Sequence, residues 1–142
     1  MTIEQRQQEI IEEFALFDDW MQKYEHIIEL GKELPVISAE YKTDDNIIKG
    51  CQSRVWLHAE MLNSGVVHFT ADSDAIITKG MIAMMIRVLS DQAPEDIASA
   101  DLHFVNEIGL HQHLSPTRSN GLLSMIKQMK FYSLAFQAKN NG

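Results

Sequence analysis

Residues Val55 to Thr70 read VWLHAEMLNSGVVHFT, and their pattern decides the fold. Val55, Leu57, Ala59 and Met61 alternate with Trp56, His58 and Glu60. That is the period of a strand whose two faces meet different surroundings. Asn63-Ser64-Gly65 has the chemistry of a hairpin turn, with Gly65 free to take a positive φ. Val66 to Thr70 is then the returning strand. Strands joined by so short a turn run antiparallel. Just upstream, Asn46-Ile47-Ile48 is a further short extended piece. The expectation is a small three-stranded antiparallel sheet.

Both flanks of the hairpin carry helical periodicity. Downstream, Asp72-Ser73-Asp74 offers an N-cap to a helix through Ile76, Ile77, Met81, Met84, Met85, Val88 and Leu89. Gly80 inside that helix costs about 1 kcal/mol relative to alanine, and close contact with the sheet is the expected reason. Pro94-Glu95-Asp96 reads as the first turn of a short helix, since proline at the first position loses no hydrogen bond. Another short helix covers about Leu102 to Ile108, stopped by Gly109. Ser115-Pro116 starts the last helix, which runs to about Ala138.

Upstream, Thr2 caps a first helix along Ile3, Ile10, Ile11, Phe14 and Phe17. Asp18-Asp19 opens a second, along Trp20, Tyr24, Ile27, Ile28 and Leu30, at the end where the helix dipole favours acids. Gly31 or the Leu34-Pro35 step ends it. Residues 35–45 form a connector. The fold class is therefore α+β, with helices packed on a small sheet in a single domain over 1–142.

The composition limits the function. The chain has 142 residues, 45% of them hydrophobic and 23% charged, which suits a globular domain with a real core. No apolar run is long enough to span a bilayer. The opening residues are acidic and amphipathic, unlike a signal or transit peptide. Net charge is −8, and residues 1–45 carry it, with 12 acids against 4 bases; residues 46–142 carry 8 of each. Such a chain lacks the basic footprint that nucleic acid requires. A solvated acidic face explains the charge, and docking of a basic partner is the weaker alternative.

One cysteine occurs, in the stretch Ile48 to Trp56, IKGCQSRVW. A single thiol excludes an internal disulfide and suits a reducing, cytoplasmic compartment. A lone cysteine is commonly a small buried hydrophobe. The neighbours of Cys51 favour another reading. Gly50 permits close approach of a second molecule, and Gln52 and Ser53 offer donors to a developing anion. The bend lies between two extended segments, so it can present the thiol at a loop tip. Lys49 and Arg54 supply nearby positive charge.

Histidines 58, 68, 103, 111 and 113 leave a Cys/His hydrolase open, but no local signature supports one. His58 and His68 can simply pair across the hairpin. The His111-Gln112-His113 pair lacks the partners of a zinc site. Ser115 to Gly121, SPTRSNG, reads either as a helix cap followed by a packing glycine or as an anion site. In the second case Arg118 stands in the first turn beside free N–H groups. If that turn folds against Cys51, Arg118 stabilises a thiolate or persulfide.

Four stretches together, LGKELP (30–35), NIIKGCQSRVWL (46–57), DSDAIITKG (72–80) and LSPTRSNGL (114–122), resemble the SufE-type sulfur-acceptor proteins, a family that includes CsdE. The resemblance runs from about Asp18 to Ala138, with Arg54 at a position where glutamine is frequent. It implies a fold shared with IscU-type scaffolds. It implies that Cys51 takes persulfide sulfur from a pyridoxal-phosphate cysteine desulfurase of the SufS or CsdA type. The chain would stimulate that enzyme and pass sulfur to an iron–sulfur scaffold. Gly50, Gln52 and Ser53 would support the loop, and Arg118 would clamp the anion. The chain would carry no cofactor or metal of its own, the pyridoxal phosphate belonging to the partner. It would act as a monomer or weak homodimer, away from membranes. The alternative is an iron–sulfur scaffold-like protein, which the single cysteine disfavours because IscU-type proteins supply three.

Overall fold

The structure, a computed structural model, describes residues 1–141. Among them two strands, β1 (Val55–Met61) and β2 (Val67–Ser73), form an antiparallel hairpin. Seven α-helices of the described residues surround it: α1 (Ile3–Ala15), α2 (Trp20–Gly31), α3 (Ile76–Leu89), α4 (Pro94–Ser99), α5 (Phe104–Glu107), α6 (Leu110–His113) and α7 (Pro116–Asn141). Val55, Leu57, Val67, Phe69 and Ala71 point inward and are fully buried, as the alternation predicts.

The sheet has two strands rather than three. The expected third strand reduces to one bridge, Ile47 to Trp56, with the Ile48 N–H donating to the Val55 carbonyl at 2.8 Å. The reason is local. A short 3-10 turn occupies Asp44–Asn46, and Gly50 turns away with φ of 95°. Too few extended residues remain between them to build a ladder.

α3 is the central element. From Gly80 to Leu89 every residue except Arg87 is buried. Methionines 81, 84 and 85 all belong to the core, where each large side chain contributes about 1.5–3 kcal/mol. The glycine in this helix faces α2, not the sheet. A Cβ on Gly80 would overlap the main-chain oxygen of Ile27, and a Cβ on Gly31 would lie 3.0 Å from the Gly80 nitrogen. The two helices cross on these glycines, so bare backbone allows the approach.

Caps account for several boundaries. Thr2 forms a capping box with Gln5, and the Asp19 side chain accepts from the Gln22 N–H at 2.8 Å. Pro94 begins α4 as expected. The start of α3 differs. Its N-cap is Ala75, which has no capping side chain. Asp72 is drawn instead to Lys42, at 2.9 Å, and toward Lys79, while Asp74 serves the loop described below.

α1 closes the far side of α3. Arg6 donates to the carbonyls of Arg87 and Ser90, at 3.0 and 2.6 Å, at the end of α3. The buried Gln7 side chain donates to the Asp101 carbonyl and accepts from the Phe104 N–H. Glu13 pairs with both Arg87 and His26. The Arg87 hydrogen bond is the main cause that holds the Glu13 carboxyl below its usual range. Among the described residues no helix is long and apolar enough to cross a membrane.

Candidate functional site: the Cys51 loop

The loop Lys49–Arg54 has a pinched base and two fixed legs. At the base Ile48, almost fully buried, bonds to Val55. On the far leg, the Arg54 N–H donates to Asp74 Oδ1 at 3.0 Å. The Arg54 carbonyl accepts from Ser73 Oγ at 2.8 Å and from the Asp74 N–H at 3.2 Å. Thr78 Oγ1 donates to Ser53 Oγ at 3.5 Å. Cys51 is thus held at the tip of a bend, as its sequence context predicts.

The tip lies against α7. Cys51 is partly buried and packs on the main core. Its S–H donates to the Gly121 carbonyl at 3.5 Å. Beside it lies a cavity of about 330 Å³, lined by Gln52, Ser53, Ile76, Thr78, Met81, Arg118 and Met125 among others. The uncapped start of α3 and the first turn of α7 both border this cavity. Those helix ends favour an anion, yet burial dominates and pushes the Cys51 thiol above its ordinary pKa. Burial thus favours the thiol over the thiolate while the sulfur is seated.

Arg118 reaches the cavity, 67 positions along the chain from Cys51. Its guanidinium points toward α2, where Nη1 donates to the Tyr24 hydroxyl and the group lies 5.9 Å from the Tyr24 ring centre. Trp20 stacks on His113 at 4.2 Å beside this contact. These pairs bind α2 to the corner between α6 and α7. Gln52 is exposed, and among the described residues its side chain makes no hydrogen bond. Gly50 and Ser53 sit where the bend needs them, the first at positive φ and the second bonded to Thr78.

The histidines are engaged elsewhere. His58 stacks on Tyr41 and lies opposite Thr70, while His68 pairs with Asp91 at 2.8 Å, so the two do not pair with each other. His103 lies between Glu4 and Glu107, and His111 bonds Ser119 at 3.0 Å. The H-x-H pair lies in the one-turn helix α6. Among the described residues no hydrogen bond joins a histidine to Cys51, and no three His, Cys, Asp or Glu side chains gather as a metal site.

Sequence reasoning did not single out Tyr24, Asp74 or Thr78 for the site. Asp74 was expected to cap α3. Only its position beside a cysteine-bearing bend, after pairing of β1 with β2, reveals its task.

The family model for the SufE Fe-S metabolism associated domain matches residues 8–133. The chain belongs to the SufE family. An uncharacterised SufE-like protein of Rhizobium etli is 38% identical to it over 126 residues, covering 86% of this chain and 85% of the relative. The solution structure of a hypothetical protein from Thermus thermophilus superposes with a TM-score of 0.75 at 17% identity, covering 92% of this chain and 94% of that one. That likeness speaks to the fold. Membership in the SufE family connects the chain to iron–sulfur metabolism and to a partner in it.

Proposed function

We propose that this SufE-family protein is a sulfur acceptor that takes persulfide sulfur onto Cys51 from a pyridoxal-phosphate cysteine desulfurase. Taking the sulfur away raises the turnover of that enzyme. The sulfur then passes to an iron–sulfur scaffold. The observation that carries the reading is the position of the sole cysteine, at the tip of a bend whose base and far leg are fixed while its sulfur rests on α7.

The chemistry is thiolate attack on a sulfur–sulfur bond. Cys51 sulfur attacks the outer sulfur of the partner's cysteine persulfide. A new S–S bond forms on Cys51, the partner's S–S bond breaks, and the partner's thiolate leaves with the bonding pair. No external oxidant or reductant enters. One thiol on this chain suffices, because the second sulfur arrives from the partner. A neighbouring thiol would attack the new persulfide and release sulfide.

The seated thiol, with its raised pKa, is the protected form. On docking, the tip leaves α7 and the sulfur enters the partner's active site. Arg118 then has a task that suits its place on the cavity rim, turning from Tyr24 toward the persulfide anion. A single thiol also fits a cytoplasmic setting.

The test is sulfide release from cysteine by a desulfurase of the same genome, with native protein or Cys51→Ser added and the intact mass recorded. Stimulation with a gain of one sulfur on Cys51, both absent in the variant, supports the reading. Equal stimulation by Cys51→Ser, or no added mass with every desulfurase of that genome, rejects it.

A further inference from the structure

The tip of the loop meets α7 at two positions about one helical turn apart. At the first, Gly121 has no side chain where the sulfur lies. A Cβ there would come to 3.5 Å from Sγ, which is ordinary contact, so anything longer than alanine meets the sulfur. At the second, Ser124 stands against the turned backbone of Gly50. A Cβ on Gly50 would overlap Ser124 Oγ and lie 3.3 Å from Ser124 Cβ. The Ser124 hydroxyl is itself held by the Asn120 carbonyl at 3.1 Å. The base and far leg of the loop have their own anchors at Val55, Asp74 and Ser73. The tip has α7.

We propose that Gly121 and Ser124 are positioning residues whose small size forms a seat for the Cys51 loop, and that the volume at this contact sets how often the sulfur is presented to a partner. The use of such a seat rests on the sulfur-acceptor reading; its existence does not. The seat selects the protonated sulfur. The Gly121 carbonyl accepts an S–H, whereas a thiolate would face the negative end of that dipole. Burial adds to this preference by raising the thiol pKa. The charged groups around the tip are Arg118 on the cavity rim, Lys49 and Arg54 beside it in the loop, and Asp74 at its far leg. α3 contributes Ile76, Ile77, Thr78 and Met81, none of them charged. Release from the seat therefore rehydrates the sulfur and removes the burial that raises its pKa.

The test needs no partner enzyme. Alkylation of Cys51 by iodoacetamide is followed by mass against pH in the full chain. Gly121→Leu drives atoms into the sulfur's place, and Ser124→Leu pushes on the Gly50 backbone from the helix side. Each is expected to raise the rate at pH 7 by about tenfold and to move the midpoint down toward the ordinary thiol value of about 8.5. Gly121→Ala and Ser124→Ala preserve the seat and stay within about twofold of the native rate, because alanine fits either position. A residue that mattered only for stability would shift melting and leave the pH midpoint alone. If Gly121→Leu does not fold, Ser124→Leu decides, since Ser124 is only partly buried and outside the core. A folded Ser124→Leu protein with native rate and midpoint overturns the proposal. Fast alkylation in the variants with no sulfur loading of native protein leaves the seat standing and removes the acceptor reading. Normal loading with unchanged alkylation does the reverse.

Discussion

Gly80 of α3 rests on the main-chain carbonyl of Ile27 in α2, so closely that a Cβ on Gly80 would also lie 2.6 Å from Ile27 Cγ2. Alanine is ordinarily better than glycine in a helix by about 1 kcal/mol. Here that gain is opposed by overlap with backbone, which cannot rotate aside as a side chain can. Overpacking a core commonly costs about 1–3 kcal/mol, and both helices must separate to relieve it. Gly80→Ala is expected to lower stability by about 2 kcal/mol or more in urea unfolding. An unchanged or higher midpoint would show that α2 shifts freely.

Cys51 links the loop to pH. Its folded pKa is raised by burial, so the seated thiol contributes stability below the unfolded value of about 8.5. That contribution is lost as pH rises through the folded value. The alkylation rate of native protein should reach half its maximum above about pH 8.5. The urea-unfolded chain should react faster at about pH 8, where more of its thiol is ionised. A native midpoint below the ordinary thiol value contradicts the burial argument.

Asp74 is expected to restrain the far leg of the loop. Its carboxylate accepts the Arg54 N–H at 3.0 Å, and one such bond contributes about 1 kcal/mol or somewhat more when charged. In Asp74→Ala the Arg54 amide should exchange with solvent several-fold faster, while amides in the middle of α3 keep their native rates. Equal exchange at Arg54 in both proteins would mean the carboxylate is dispensable.

The sequence made the hairpin legible because its signals are local. Inward residues alternate with outward ones from Val55, and Gly65 turns with φ of 88°. The caps at Thr2 and Asp19 were legible for the same reason, each residue serving the helix it starts. The third strand was misread because Asn46-Ile47-Ile48 has strand chemistry but lies between a 3-10 turn and Gly50. The partner of Gly80 was misread because helix–helix contact leaves no mark in a window of either helix. The cysteine bend stood out by composition. Its seat did not, since Gly121 and Ser124 lie 70 and more positions away and become neighbours only after folding.

His103 gives a second pH dependence, far from the cysteine. Its Nε2 lies 2.8 Å from Glu4 Oε2 on α1, and Nδ1 pairs with Glu107 on α5. Glu4 first and Glu107 second raise the His103 pKa, while His103 lowers that of Glu4. The histidine's contribution is complete below about pH 6.5 and disappears as pH rises through its raised folded value. The Glu4 contribution is present above about pH 4.3 and disappears as pH falls through its lowered one. Proton NMR titration of the His103 ring should give a midpoint above about 6.5, and Glu4→Gln should lower it. A midpoint at or below that ordinary value would mean that the clasp does not form in solution.

The outer edge of β2 has a consequence for recognition. Val67 exchanges hydrogen bonds with Asp91 and Gln92, the Phe69 N–H donates to Ser90 Oγ, and Ala71 bonds to Pro35 and Ile37. Most main-chain groups along that border are already spoken for by the molecule's own connectors. A visiting chain that tried to lengthen the sheet there would first have to evict them. Strand addition, a common route to both peptide capture and fibril growth, is thereby shut along this border, and a partner approaching from that direction must recognise side chains and shape instead.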